Sequence, residues 1–421
     1  MLDTSNSLLP INKPVETLRG VAVGFDHESL EELVSLLETL KIKNIKTQEV
    51  QIRKINSGTY MGTGQLEDLK GICHEYNPDF VVIDHELSPN QLRNLEKHLG
   101  HQVLDRSGVI IEIFSRHAHT KEAKTQVELA KVQYMLPRLA HFWSHFERQR
   151  GGGVGNRGMG EKQLEVDRRL MSERIKTLKA RLKRIEKERK VQRASREDVL
   201  KIAFVGYTNA GKSTLLNSMT QSKVLAEDKL FATLDSTVRA VDPDSHPPII
   251  AIDTVGFIRN IPTFLIASFR STLEELEHAD LLVHVVDASS PYVHHHLEVT
   301  KEILSTIDLG EKPVITVLNK WDKIEDQKAS NLARIASPGA ERVSALDPLS
   351  VQKLKKRVLN YFFERLEDWE VVIPYSESKT ESMIRKYANI QKSNFLQKGT
   401  FYQIKIDRRW AGRLNLKRFK S

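Results

Sequence analysis

An α/β protein built on mostly parallel sheets is predicted by three observations. The apolar runs Leu200-Lys201-Ile202-Ala203-Phe204-Val205, Pro248-Ile249-Ile250-Ala251-Ile252 and Val314-Ile315-Thr316-Val317-Leu318 read as buried strands, each followed at once by a glycine- or polar-rich loop. Residues 15–120 alternate strand-like and helix-like segments in the same βα manner. Between these two regions, residues 121–197 carry a heptad pattern that belongs to long helices.

The order of elements follows from these patterns. Residues 1–14 read as a flexible N-terminus, and Met1-Leu2-Asp3-Thr4-Ser5-Asn6 has neither the basic nor the apolar region of a signal peptide. In the 15–120 domain, Val21 to Gly24 is a strand, Leu30 to Leu40 a helix and Thr47 to Ile52 a strand. Gln65 to Cys73 is then a helix, Phe80 to Ile83 a strand and Gln91 to Leu99 a helix. Gly62-Thr63-Gly64 admits contact with a second nucleotide, but a bare Gly-x-Gly more often marks a tight turn.

Residues 121–197 predict a basic antiparallel helical hairpin. Leu129, Val132, Leu136, Leu139, Trp143 and Phe146 form one seam, which Pro137 kinks or breaks; Leu164, Met171, Ile175, Leu178, Leu182 and Ile185 form the other. Residues 161–196 hold 14 Lys/Arg against 6 Asp/Glu, which accounts for most of the net charge of +9. A merely soluble helix mixes its signs, so this imbalance favours a phosphate-rich target over a solvated face. The tip, 151–160, has six glycines in ten residues. It reads either as a flexible linker or as bare backbone able to approach a target, flanked by Arg148, Arg150, Arg157 and Lys162.

The region 198–366 carries the chemistry. Gly206-Tyr207-Thr208-Asn209-Ala210-Gly211-Lys212-Ser213 follows a strand, and Thr214 to Met219 starts a helix. Such a loop wraps its N–H groups around a β-phosphate, whose charge the helix N-terminus favours. Lys212 reaches the β- and γ-phosphates, and the Ser213 hydroxyl ligates Mg²⁺. Four further pieces of a guanine-nucleotide site follow in order. Phe231-Ala232-Thr233-Leu234-Asp235 supplies Thr233 as a second Mg²⁺ ligand. Asp253-Thr254-Val255-Gly256 places Asp253 on Mg²⁺ through a water and the Gly256 N–H on the γ-phosphate. Asn319-Lys320-Trp321-Asp322 chooses the base, because a carboxylate accepts from guanine N1–H and N2–H₂ together, each such bond contributing roughly 1.5–3 kcal/mol. Ser344-Ala345 fits the backbone contact to guanine O6.

This predicts a P-loop GTPase domain with helices on both faces of the sheet. Lys212, Thr233 and Gly256 are the expected catalytic groups, in Mg²⁺-dependent attack of water on the γ-phosphorus of GTP. Phe257 stands where many GTPases orient that water with glutamine, so slow basal turnover is expected. The Asn209 side-chain oxygen either helps to hold K⁺ against the phosphates or caps a turn through its own backbone. His294-His295-His296 reads as a solvated helix start, not a metal site.

Residues 367–421 form a small α+β module, with Val371 to Pro374 and Phe401 to Ile406 as strands and Thr380 to Ala388 as helix. Trp410 and Phe419 are expected in its core, not on RNA. One cysteine, Cys73, excludes an internal disulfide framework and suits a small buried apolar role. No run approaches 18 apolar residues, so no membrane span is expected. A soluble, cytoplasmic protein is expected, acting as a monomer.

The chain resembles the HflX family of ribosome-associated GTPases. The resemblance rests on Tyr60-Met61-Gly62-Thr63-Gly64, Asp105-Arg106-Ser107-Gly108, Gln126-Val127-Glu128-Leu129-Ala130 and Met135-Leu136-Pro137-Arg138-Leu139. Gly151-Gly152-Gly153-Val154-Gly155, Gly160 to Arg169 and Phe231 to Asp235 complete it, with Lys162 standing where the family pattern has threonine. It implies binding of GTP and GDP, and of the large ribosomal subunit and its RNA through the 151–196 hairpin. It also implies a role in splitting or rescuing stalled ribosomes. A GTPase of ribosome assembly or RNA modification, and an RNA-binding adaptor that holds GTP without turnover, are the alternative readings.

Overall fold

The computed structural model describes residues 8–9, 14–139, 157–194, 199–220, 230–231, 237–260, 262, 264–265, 275–324 and 327–420, without the side chains of 157–163, 189–194 and 327–329. These residues group into two compact units. The first joins residues 1–188 with 229–235 and 258–271, and the second joins 189–228, 236–257 and 272–421.

In the first unit, strands β1 (Arg19–Gly24), β2 (Lys43–Glu49), β3 (Phe80–Ile83) and β4 (Gln102–Asp105) form a parallel sheet in the order β2-β1-β3-β4. Helices α1 (His27–Thr39), α2 (Thr63–Tyr76), α3 (Pro89–Leu99) and α4 (Arg106–His117) alternate with the strands. Local chemistry sets their ends. The Asp26 carboxylate accepts from Ser29 N–H at the start of α1, Ser88 caps α3 ahead of a first-turn proline, and Gly100 ends α3 at φ 73°. Strand β2 starts four residues earlier than its sequence suggests, because pairing with β1 from Lys43 onward fixes its extent while this edge strand buries few side chains. Strand β4 and helix α4 lie beyond the anticipated elements. Gly62 precedes α2, and its N–H donates to Gln65 Oε1 at 3.0 Å, which is the turn reading of Gly62-Thr63-Gly64. Cys73 packs in the core with Val21, Val81, Leu66 and Leu69, and burial pushes its thiol up to about 11.

Helix α5 (Lys121–Met135) stops at a 3₁₀ turn, Leu136–Arg138, where Pro137 removes a helical donor. Helix α6 (Arg157–Ala194) is 38 residues long, about 57 Å at helical rise. It begins inside the expected tip: Arg157 to Gly160 continue its backbone ladder, whereas 151–156, Trp143 and Phe146 lie outside the described residues. The α6 seam is as expected, with Met171 and Leu178 buried and Ile175, Leu182 and Ile185 half-buried. Arg174 Nη2 meets Glu128 Oε1 of α5 at 2.5 Å.

One buried carboxylate ties this unit together. Asp105, at the end of β4, has no exposed surface. It accepts from the N–H groups of Leu87 (3.2 Å) and Gly108 (2.8 Å), the Tyr134 hydroxyl (2.9 Å) and Arg138 Nη2 (3.1 Å). Four donors offset the cost of burying the charge and join β4, α4 and α5.

The second unit holds a six-stranded sheet, order β10-β9-β8-β5-β7-β6, parallel except at β6. Its strands are β5 (Leu200–Val205), β6 (Thr237–Ala240), β7 (Ile249–Asp253), β8 (Leu281–Asp287), β9 (Val314–Asn319) and β10 (Glu341–Arg342). The central strands are apolar on both faces. Leu200, Ile202 and Phe204 pack with α7 (Lys212–Thr220) and α10 (Pro348–Phe363), while Ala203 and Val205 pack with Leu304 of α8 (Val293–Thr306). Helix α9 (Gln327–Ala336) lies between β9 and β10 in the chain.

Strands β11 (Glu367–Pro374), β12 (Ala388–Leu396) and β13 (Gly399–Ile406) make an antiparallel sheet, order β11-β13-β12, with α11 (Ser378–Tyr387) and α12 (Arg408–Arg413). Strand β12 escapes a pattern-based reading because nearly all its side chains are exposed or half-buried. Trp410 stacks on Tyr387 at 3.9 Å and Phe419 packs on the same core, as expected.

Within the expected GTPase range of 198–366, two stretches group elsewhere by contact. Residues 229–235 and 258–271 group with the first unit, where Phe231 packs edge-on against Phe114 at 4.7 Å. Among the described residues, no helix is long and apolar enough to cross a membrane.

Tyr134→Phe removes a neutral donor from the wholly buried Asp105. Denaturant unfolding should show a loss of about 1–3 kcal/mol. A loss below about 0.5 kcal/mol would mean that the remaining donors suffice.

Candidate nucleotide-binding site

The loop 206–211 leaves β5 at its carboxyl end and enters α7 at Lys212. Two of its positions admit only glycine. Gly206 has φ 146° and a Cβ there would lie 2.1 Å from the Val285 carbonyl oxygen; Gly211 has φ 87° and a Cβ would lie 2.3 Å from Asn319 Nδ2. The loop is thereby pressed against β8 and β9.

Lys212 is buried and donates to the carbonyl oxygens of Gly206 (3.1 Å) and Tyr207 (2.8 Å). Burial pulls its ammonium down to about 8, against an opposing effect of Asp253. Ser213 Oγ donates to Asp253 Oδ2 at 2.6 Å. A hydroxyl and a carboxylate side by side are hard oxygen donors that fit Mg²⁺. Thr254 turns inward, its hydroxyl donating to the Phe204 carbonyl oxygen at 2.6 Å. Val255 and Gly256 follow, and Thr214 lies in the first turn of α7.

Asn319 joins the phosphate loop to the base-reading loops. Its Nδ2 donates to the Ala210 carbonyl oxygen at 2.8 Å, and its Oδ1 accepts from Ala345 N–H at 3.1 Å. The Ala345 amide, expected to meet guanine O6, is therefore bonded to Asn319 here. Lys320, at φ 57°, pairs with Asp287 at 2.8 Å. Asp322 is exposed and lines a cavity of 410 Å³ together with Trp321, Arg342, Ser344, Leu346, Asp347 and Ser350.

Asn209 sits at φ 57°, a conformation asparagine tolerates better than most residues. Its side chain is exposed and makes no hydrogen bond among the described residues, so it does not cap its own turn. Phe231 belongs to the first unit, and Ala232, Thr233, Leu234 and Asp235 lie outside the described residues. Phe257 is 3% exposed and packs into the core with Leu276 and Ile252.

Two neighbours of the loop escaped the sequence reading. His296 stacks on Tyr207 with ring centroids 4.0 Å apart. His294 pairs with Glu298 on the exposed face of α8, which is the helix-start reading of the histidine run. His284, buried in β8, is held down to about 4 by burial and by Lys301 and Lys212, and is therefore neutral near pH 7. Only the pairing of distant strands brings these residues beside the loop, so no local pattern marks them.

A strand–loop–helix with Lys212 and Ser213, a strand ending in Asp253 and an Asn319–Asp322 loop at one edge of a parallel sheet define a P-loop GTPase. The description "50S ribosome-binding GTPase" belongs to the family model that matches residues 201–320. Models described as GTP-binding GTPase N-terminal and GTP-binding GTPase middle region match residues 27–115 and 117–196. GTPase HflX of Magnetococcus marinus is 44% identical over 83% of this chain and 81% of its own. The Akkermansia muciniphila relative of the same name is 39% identical over 92% and 94%, and that of Escherichia coli 42% over 72% and 71%. The chain belongs to the HflX family of GTPases.

Proposed function

We propose that this chain hydrolyses GTP to GDP and phosphate and uses the cycle to bind and release the large ribosomal subunit, splitting or rescuing stalled ribosomes. The observation that carries the nucleotide half is the convergence of Lys212, Ser213, Asp253 and Asn319 at the loop end of one sheet, beside the cavity lined by Asp322 and Ser344. The ribosomal half is supported by family membership and by the basic α6.

In this reading the loop N–H groups and Lys212 hold the phosphates. Lys212 exchanges its two carbonyl partners for phosphate oxygens, whose negative charge opposes the effect of burial. Ser213 and Asp253, the latter through a water, would hold Mg²⁺, with Thr233 as the further ligand. Bound there, the ion would supply charge neutralisation for phosphoryl transfer. The Gly256 N–H meets the γ-phosphate, Asp322 accepts from guanine, and the Ala345 N–H turns from Asn319 to guanine O6. Phe257, buried and apolar, cannot orient water, so the attacking water is ordered elsewhere and basal turnover is slow. Asn209 offers one neutral oxygen at the rim, which fits a monovalent ion better than a divalent one and supports a K⁺ role. The protein acts in the cytoplasm as a timed binder.

Asp322→Asn puts a donor against guanine's own donors. GTP affinity should fall by about 1.5–3 kcal/mol in equilibrium binding, with xanthosine triphosphate becoming the better ligand. Unchanged GTP affinity would sink the base assignment. Cosedimentation should show GTP-dependent binding to large subunits that weakens steeply with salt, and deleting residues 151–160 should abolish splitting while sparing basal hydrolysis. Preference for precursor particles would favour the assembly reading instead. Potassium should raise basal hydrolysis over sodium at equal ionic strength, and Asn209→Ala should remove the difference without loss of nucleotide binding. Equal rates in the two salts would leave Asn209 as a turn residue.

A further inference from the structure

Within the second unit, the phosphate loop and the turn after β7 carry three aliphatic hydroxyls, those of Thr208, Ser213 and Thr254. Two are committed. Ser213 Oγ donates to Asp253 Oδ2 and Thr254 Oγ1 to the Phe204 carbonyl oxygen, both at 2.6 Å. Thr208 differs. It is 6% exposed, and its buried hydroxyl meets no hydrogen-bond partner among the described residues. A hydroxyl buried in this way costs free energy that a methyl group in its place would not. Valine has the same shape, so stability alone would favour valine at 208. A polar atom kept there against that cost calls for a functional reason.

The surroundings of Thr208 are well defined. Its N–H donates to the Phe257 carbonyl oxygen at 2.7 Å, and Phe257 N–H donates to the Gly206 carbonyl oxygen at 3.0 Å. Gly256 is pressed between the loop and the lysine. A Cβ there would lie 2.8 Å from Thr208 Cα, 2.9 Å from Thr208 Cγ2 and 2.9 Å from Lys212 Nζ. The Thr208 side chain, the Lys212 ammonium and the Gly256 backbone therefore converge on one point. The methyl and hydroxyl of threonine sit on the same carbon, and one step of about 120° in χ1 exchanges them. The hydroxyl thus reaches the Gly256 side without any movement of the backbone.

Where Lys212 and the Gly256 N–H hold the γ-phosphate, that point of convergence borders the reacting phosphorus. In hydrolysis a water oxygen bonds to the γ-phosphorus as the bond to the β–γ bridging oxygen breaks. The bonding pair leaves on GDP, and a water proton ends on the released phosphate. The water has to be held in line by a group that accepts a hydrogen bond from it. Phe257, apolar and packed with Ile252 and Leu276, has no such atom. Thr208 Oγ1 has lone pairs to accept from the water and a proton to donate to a γ-phosphate oxygen. A neutral hydroxyl is no base at ordinary pH, so it aims the water and leaves the proton to the phosphate.

We propose that the Thr208 hydroxyl is the catalytic group that orients the attacking water, in the role that Phe257 cannot fill. Because it belongs to the phosphate loop, it is in place whenever the nucleotide is, and basal turnover depends on it. This rests on the guanine-nucleotide reading of the site, which it deepens.

The test compares the full chain as wild type, Thr208→Val and Thr208→Ser, without ribosomes. Single-turnover GTP hydrolysis, equilibrium binding of fluorescent GDP and denaturant unfolding are measured for each. Thr208→Val keeps the side-chain shape and the loop N–H. It should hydrolyse bound GTP about tenfold more slowly, the size of one hydrogen bond made in the transition state. Its GDP affinity should stay within about twofold, with an unfolding midpoint equal to or above that of wild type. Thr208→Ser keeps the hydroxyl and should hydrolyse within about threefold of the wild-type rate. Thr208→Val at the wild-type rate, or both variants slowed alike, overturns the assignment alone. So does a Thr208→Val that loses GDP binding or stability, because the side chain then serves the loop's own structure. Wild type that binds neither nucleotide, or never hydrolyses GTP, overturns the GTPase reading and the assignment with it.

Discussion

The Asn319 side chain is the interaction on which the nucleotide site is built. One amide spans the Ala210 carbonyl oxygen of the phosphate loop and the Ala345 N–H of the loop after β10. Both bonds are buried, so neither can be exchanged for water without cost. Other features of the site sit around that bridge. Gly211 must lack a Cβ because Asn319 Nδ2 stands where one would go. Lys320 takes a left-handed backbone immediately after it, and Asp322 then faces the cavity beside Ser344. Phosphate-binding and base-binding elements are thus joined through one side chain.

The first unit solves a different problem with the same means. Its sheet ends in charges that the interior would reject singly. Asp105 is satisfied by four donors, from the loop after β3, α4, α5 and the 3₁₀ turn that follows it. Asp84 lies at the end of the neighbouring strand and is less completely answered. Burial lifts its carboxyl to about 6, against the pull of Arg106 and Arg259. Two carboxylates at equivalent strand ends therefore differ: Asp105 has four donors of its own, whereas Asp84 shares Arg106 and Arg259 with Glu32.

Much of the second unit was legible because its elements are local. The runs 200–205 and 314–318 match strands β5 and β9 closely, and the loops that follow them carry their chemistry in consecutive residues. Glycine positions at 206 and 211 are forced by close approach, and such constraints leave a residue-level signature. Helix α6 was legible for the same reason, since Met171 and Leu178 recur at heptad spacing and are buried at that spacing. Strand β12 was not, because an exposed polar edge buries nothing and writes no pattern.

The amino-acid order therefore fixed the nucleotide loops, the basic helix and the family, all of which depend on contiguous residues. It could not reveal that His296 stacks on Tyr207, that His284 lies buried beneath the loop as a neutral imidazole, or that Phe257 points into a core. Nor could it show that Arg259 is seated among Asp26, Glu32 and Asp84. Those facts depend on groups up to 233 residues apart in the chain. Opposite charges can pair at any separation along the sequence, and folding alone chooses which of them meet.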